Sequence, residues 1–148
     1  MDAEGVRDVD ELLAALENED PVVRARAAKL FGHMIDPPDH VLAALARGTD
    51  DPDPMVRSMS LDALGRHGGR AREHLGALAT CLADPVVPVR FWAATAVERV
   101  VVVSGSAPQA VREALERLAA DDHPLGQAAR AAARRALARS RPEGGAAG

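Results

Sequence analysis

Guanidinium groups recur in this chain at a fixed step. Val23-Arg24, Val56-Arg57 and Val89-Arg90 stand 33 residues apart, and each pair follows a proline within three residues. Arginine presents a planar fork of N–H donors that grips a carboxylate or phosphate at two points. A periodic arginine therefore predicts either a ladder of internal ion pairs or a row of anion contacts. Asp20-Pro21, Asp53-Pro54 and Asp84-Pro85 accompany the arginines and favour the ladder. A second row, nine residues after each block's arginine, reads His33, Arg66, Arg99 and Arg139. That row is either a basic stripe facing an acidic partner or a set of cations complementing helix C-termini, each contributing about 0.3 to 1 kcal/mol.

Other reactive residue types lack catalytic spacing. His33, His40, His67, His74 and His123 contain no i, i+4 pair, and neither His-Glu-x-x-His nor Cys-x-x-Cys occurs, so neither a metal site nor a cofactor site is expected. There is no phosphate loop, dinucleotide fingerprint or nucleophile elbow. Asp62 is the one central acid in its row and reads as a solvated surface group rather than a general base. Cys81, between Leu78 and Leu82, reads as a buried small apolar thiol. Phe91 is either a binding anchor or a ring buried beneath a neighbouring loop, and Trp92 is expected to pack between repeats.

The elements that position these residues repeat as well, which makes a repeat array the first hypothesis. Written from each arginine, the blocks read RARAAKLFGH, RSMSLDALGR and RFWAATAVER, and a fourth, RAAARRALAR, starts at Arg130. Its step from Arg90 is 40 residues, so seven have been inserted, around Ser104 to Ala107 and Asp121 to His123. Small and apolar residues 3, 6 and 7 positions after each arginine share one helical face. Upstream of every block lies another apolar helical stretch: Leu12, Leu13 and Leu16; Val41, Leu42 and Leu45; Leu75, Leu78 and Leu82; Val111, Leu115 and Leu118. Each repeat is thus predicted to be a helix pair. The three Asp-Pro pairs supply an N-cap acceptor and a preset φ for the second helix. Asp8 with Glu11 offers a capping box for the first helix, and Gly68-Gly69 a stop signal. Val100 to Val103 extends the third block, either covering the last repeat's first helix or forming an apolar partner patch.

On Asp20-Pro21-Val22-Val23-Arg24 with Ala27-Ala28 and Phe31-Gly32, and on Asp53-Pro54-Met55-Val56-Arg57 with Ala63-Leu64-Gly65, the chain resembles the HEAT-repeat family. The similarity is to the short HEAT-like repeats of phycobilisome lyases. A weaker copy runs from Pro88-Val89-Arg90 to Val97, with Glu98 in place of the usual glycine, and the Arg130 copy departs furthest. The resemblance implies an all-α fold, a right-handed α-solenoid of about four helix pairs over residues 1–140, and the composition of the tail at 141–148 reads as a disordered end. It also implies that second helices line a concave surface, where residues 1, 5 and 9 positions after each arginine lie nearest the groove. The candidate contact residues are therefore Lys29, His33, Asp62, Arg66, Phe91, Thr95, Arg99, Arg135 and Arg139.

Composition bounds the function. Hydrophobic residues make up 47% of the chain and aromatics only 2%, so helices should pack through small side chains. A net charge of −4 argues against nucleic-acid binding, which calls for a basic excess. HEAT-like DNA glycosylases use several tryptophans in a basic groove, and this chain has one tryptophan. Met1 to Gly5 does not read as a signal peptide, and no stretch reads as a membrane span. A single cysteine excludes an internal disulfide framework and points to the cytoplasm. Seventeen arginines against one lysine suggest bacterial coding bias. The expected role is a non-catalytic scaffold that binds a protein partner on the concave second-helix face. An accessory or chaperone-like subunit of a lyase-type enzyme is the alternative, and nucleic-acid binding a weaker one.

Overall fold

The computed structural model describes residues 3–144, with side chains from Asp8 onward. Among them are eight α-helices: α1 Ala3–Ala15, α2 Pro21–Gly32, α3 Asp39–Gly48, α4 Pro54–Arg66, α5 Leu75–Thr80, α6 Val87–Ser104, α7 Gln109–Ala120 and α8 Gln127–Ala138. They form four antiparallel pairs, each second helix packing on the next in the series α2, α4, α6, α8. The fold is an all-α solenoid. Neighbouring repeats share one continuous core, from Ala28 and Phe31 through Leu64 and Val97 to Ala136, as expected where a lone helix pair cannot bury its apolar face.

Local chemistry sets the helix starts. Asp20 caps α2 by accepting from the Val22 N–H at 2.9 Å, and Asp53 caps α4 by accepting from Met55 N–H at 2.8 Å. Proline follows each cap, where its missing N–H costs nothing. The third Asp-Pro pair behaves differently. The cap position of α6 is Val86, and Asp84 instead accepts from the Val86 N–H at 2.9 Å. Asp84 thus corresponds to Asp51, 33 residues earlier, which holds the Asp53 N–H at 2.9 Å in the same way. The capping box at Asp8 is also corrected, because α1 begins at Ala3 and carries Asp8 in its interior.

Glycine sets the spacing between second helices. A Cβ on Gly32 would come within 3.0 Å of the Ala63 Cα, and one on Gly65 within 2.9 Å of the Ala96 Cα. Both glycines stand eight residues after a block arginine, and both let backbones meet where a methyl group would overpack. At Gly68 the backbone turns left-handed (φ +55°) after α4, as the stop signal predicts. The third repeat's first helix is broken up, with α5 flanked by 3-10 turns at Gly68–His74 and Cys81–Ala83.

The seven inserted residues divide in two. Asn18, Asp51, Asp84 and Asp121 each accept the N–H two residues on and so mark equivalent turns. Their steps are 33, 33 and 37 residues, which places four insertions before Asp121 and leaves three between Asp121 and Arg130. The first four lengthen α6, whose Val100 and Val101 enter the core while Val102 and Val103 remain 45% and 70% exposed. Val103 lies over Gly69 of its own repeat.

After α6 the chain turns at Gly105 (φ 69°) into β1, Ser106–Ala107, which pairs in parallel with β2, Arg141–Pro142. Arg141 N–H donates to the Gly105 carbonyl at 2.8 Å and Glu143 N–H to that of Ala107 at 3.0 Å. Arg72 adds an ion pair to Glu143. These contacts are made by the first residues of the segment 141–148, and the longer α6 leaves the backbone groups that they meet. Residues 145–148 lie outside those described.

Cys81 is buried as anticipated, at 5% exposure, with its thiol donating to the Thr49 carbonyl at 3.3 Å. Burial, reinforced by the nearby Asp84 charge, pushes the thiol pKa up to about 11. Folded protein at pH 8 is thus expected to resist a disulfide reagent such as dithionitrobenzoate, with one thiol appearing on unfolding in guanidinium. Stoichiometric labelling within seconds under native conditions would contradict this burial.

Candidate docking face

The block arginines build an internal ladder along the turns. Arg24 Nε and Nη2 donate to Asp51 of the next repeat, both at 3.0 Å, while Nη1 donates to the Asn18 and Glu19 carbonyls. Arg57 repeats the pattern on Asp84 at 2.9 and 3.1 Å, and on the carbonyls of Asp51 and Pro52. Burial raises the Asp51 pKa, but the Arg24 fork and the Asp53 N–H outweigh it and hold the carboxyl below its ordinary range. Arg24 is correspondingly raised, chiefly by its bonds to Asp51. These arginines join successive repeats.

A second ladder crosses the outward face of the second helices. Asp62 is 8% exposed, not solvated as its sequence position suggests. Arg66, one turn on, donates to it at 3.0 Å, and Arg99 of the next repeat at 3.1 Å. Glu98 takes both of its arginines from the next repeat, Arg135 at 3.2 Å and Arg139 at 3.3 Å. Glutamate here stands where α2 and α4 have Gly32 and Gly65, and its carboxylate ties α6 to α8. All four guanidiniums stay 42 to 56% exposed, so each retains donors for a ligand. Charge reversal at Arg66 or Arg99 would strand Asp62, so neither position separates binding from folding.

The remaining candidates are scattered. Lys29 and His33 are exposed on α2. Thr95 is half-buried and its hydroxyl is enclosed without a partner, which removes its polar group from any contact. Phe91 is half-buried, packed edge-on to Trp92 with ring centroids 5.3 Å apart, and both rings lean on the core. The position one residue after the block arginine is inward in α2 and α4, where Ala25 and Ser58 are buried, whereas Ala131 of α8 is exposed.

In α2 and α4 the outward positions lie two residues to either side of that arginine. Between α2 and α4 they form a groove of about 310 Å³ walled by Val22, Ala25, Met55 and Met59, with Arg26 and Lys29 on its rim. Val22 and Met55 are 44% and 55% exposed. Sequence reasoning missed Val22, Arg26, Met55 and Met59. The signal was an apolar residue two positions before the arginine in the first two blocks, read only as part of the stretch that carries the family resemblance. Among the described residues, neither Arg26 nor Lys29 makes an ion pair.

The sequence profile of HEAT repeats matches residues 9–98, more than half of the chain. The chain belongs to the HEAT-repeat family. Among solved structures, the crystal structure of an engineered protein from the Northeast Structural Genomics Consortium is similar at a TM-score of 0.61 and 19% identity. The match covers 89% of this HEAT-repeat chain and 63% of that chain, and at this identity it supports the fold alone. No curated protein matches. Among the described residues no group of three His, Cys, Asp or Glu could hold a metal. No described helix is long and apolar enough to cross a membrane.

Proposed function

We propose that this HEAT-repeat chain is a non-catalytic binding module that docks a protein partner on the outward face of its second helices. HEAT repeats are commonly interaction scaffolds. The observation that carries the reading is the groove between α2 and α4, where exposed methyl and thioether groups lie beside the unpaired cations Arg26 and Lys29. An apolar floor with a cationic rim suits an acidic segment bearing one or two apolar anchors. The solenoid holds this surface in place, so little ordering accompanies binding. The lyase-accessory alternative calls for a deep apolar chromophore cavity. A cleft of about 490 Å³ between α1 and α3 instead mixes Leu13 and Leu16 with Glu17, His40 and Arg47.

Two variants test the docking face in a co-purification from the native host read by quantitative mass spectrometry. Arg26→Glu with Lys29→Glu, and separately Met55→Asp, are expected to reduce retention of the specific partner at least tenfold at unchanged melting temperature. A partner retained equally by both variants removes the groove from the interface.

A further inference from the structure

Three successive junctions allow an internal comparison. At the first two, the arginine fork closes on a turn aspartate of the next repeat, Arg24 on Asp51 and Arg57 on Asp84. At the third, Arg90 keeps the backbone half of the arrangement, its Nη1 donating to the Asp84 carbonyl at 2.8 Å. The carboxylate half is missing. Arg90 Nε is sealed from water without an acceptor, an arrangement that costs the desolvation of a charged donor. Asp121 occupies the equivalent turn, with its carboxylate on the His123 N–H at 2.8 Å. It follows Asp84 by 37 residues instead of 33, and the pair with Arg90 is not formed.

A cleft of about 380 Å³ opens between the third and fourth repeats, lined by Arg90, Arg117 and Asp121 with Thr80, Leu82 and Leu118. Arg117 makes no ion pair among the described residues. The cleft therefore presents two guanidiniums without counter-ions against one carboxylate, and its volume matches a small metabolite.

We propose that this cleft is a binding site for a small oxoanion ligand, a carboxylate or phosphate, held by Arg90 and Arg117. The ligand takes the place that Asp51 and Asp84 fill at the other junctions. The two-point match of guanidinium with oxoanion supplies the geometry, and a turn of the Arg90 guanidinium toward the cleft brings Nε to the ligand. Occupancy would join the fourth repeat to the third as the aspartates join the others. The site lies on the turn and first-helix side, apart from the groove at Val22 and Met55, so it stands or falls independently of the docking face.

Titration calorimetry and 15N-detected NMR of arginine Nε with succinate and with inorganic phosphate test the site, using sodium chloride at equal ionic strength as control. Saturable binding of succinate, phosphate or both is expected, with a shift of the Arg90 Nε resonance, and the stronger of the two names the ligand class. Arg90→Gln is expected to weaken binding at least tenfold and Arg117→Gln about threefold, while Asp121→Asn tightens it by removing the competing charge. Should Arg90→Gln fail to fold, the other two variants decide the matter, and binding unchanged in both overturns the site. A wild-type protein that responds to neither anion also overturns it, and an Arg90 Nε shift on Asp121→Asn without ligand would show that Asp121 closes the fork itself.

Discussion

Asp84→Ala is expected to cost about 3 kcal/mol, the range for breaking an enclosed ion pair by removing one partner, and to lower the melting temperature by roughly 10 °C for a domain of this size. The Asp84 side chain is only 8% exposed and Arg57 14%, so water cannot take over either group. One carboxylate accepts both fork donors of Arg57 and the Val86 N–H. Its loss leaves a cation enclosed and the turn into α6 unsupported. Asp39→Ala supplies the contrast, since Asp39 is 84% exposed and its partner Arg70 40%, a setting where an ion pair contributes about 0 to 1 kcal/mol. Chemical denaturation of both variants is the measurement. Equal, small losses would mean that the arginine ladder is ornamental to stability, whereas the predicted gap makes it the clamp between repeats. Combining Asp84→Leu with Arg57→Met should recover much of the loss, because the penalty comes chiefly from stranding a charge.

Periodicity made the architecture legible. A 33-residue step in Val-Arg, with small residues on one helical face, follows directly from stacking equal helix pairs, and the second helices form where those blocks lie. The seven-residue insertion was also readable, since it falls at the two places where turn residues interrupt the pattern. Side-chain partners across repeats were less so. By residue type Asp84-Pro85 resembles the other two Asp-Pro caps, but it stands six residues before its arginine where Asp20 and Asp53 stand four, so the spacing already marked the different role that the turn gives it. Asp62 illustrates the same limit. Its row holds Lys29, Thr95 and Arg135, which look solvated, but Arg66 from its own helix and Arg99 from the next enclose it. Sequence spacing within one helix cannot report a neighbour that comes 37 residues later. The groove at Val22 and Met55 was missed for a related reason. Apolar residues at a helix start are assumed to point inward, and here the rotation of α2 and α4 turns them outward.

Leu64→Ala is expected to be the most damaging single truncation of this series, at about 2 to 5 kcal/mol. Leu64 is fully buried in α4, and α4 packs on both α2 and α6. A cavity there weakens two junctions at once. Leu137 stands at the same place in the fourth repeat, yet it is only half-buried, and among the described residues no further second helix lies beyond α8 to cover it. Leu137→Ala should therefore cost about 1 kcal/mol, in line with its smaller transfer of apolar area. Because each repeat contacts only its neighbours, the two variants should also differ in where the damage appears. Hydrogen exchange is expected to quicken throughout α2, α4 and α6 for Leu64→Ala, but mainly in α7 and α8 for Leu137→Ala. A uniform rise in exchange for both would indicate a single all-or-none unit. In that event the end repeat could not open separately, and a ligand at Arg90 would stabilise the whole chain rather than tighten its last junction.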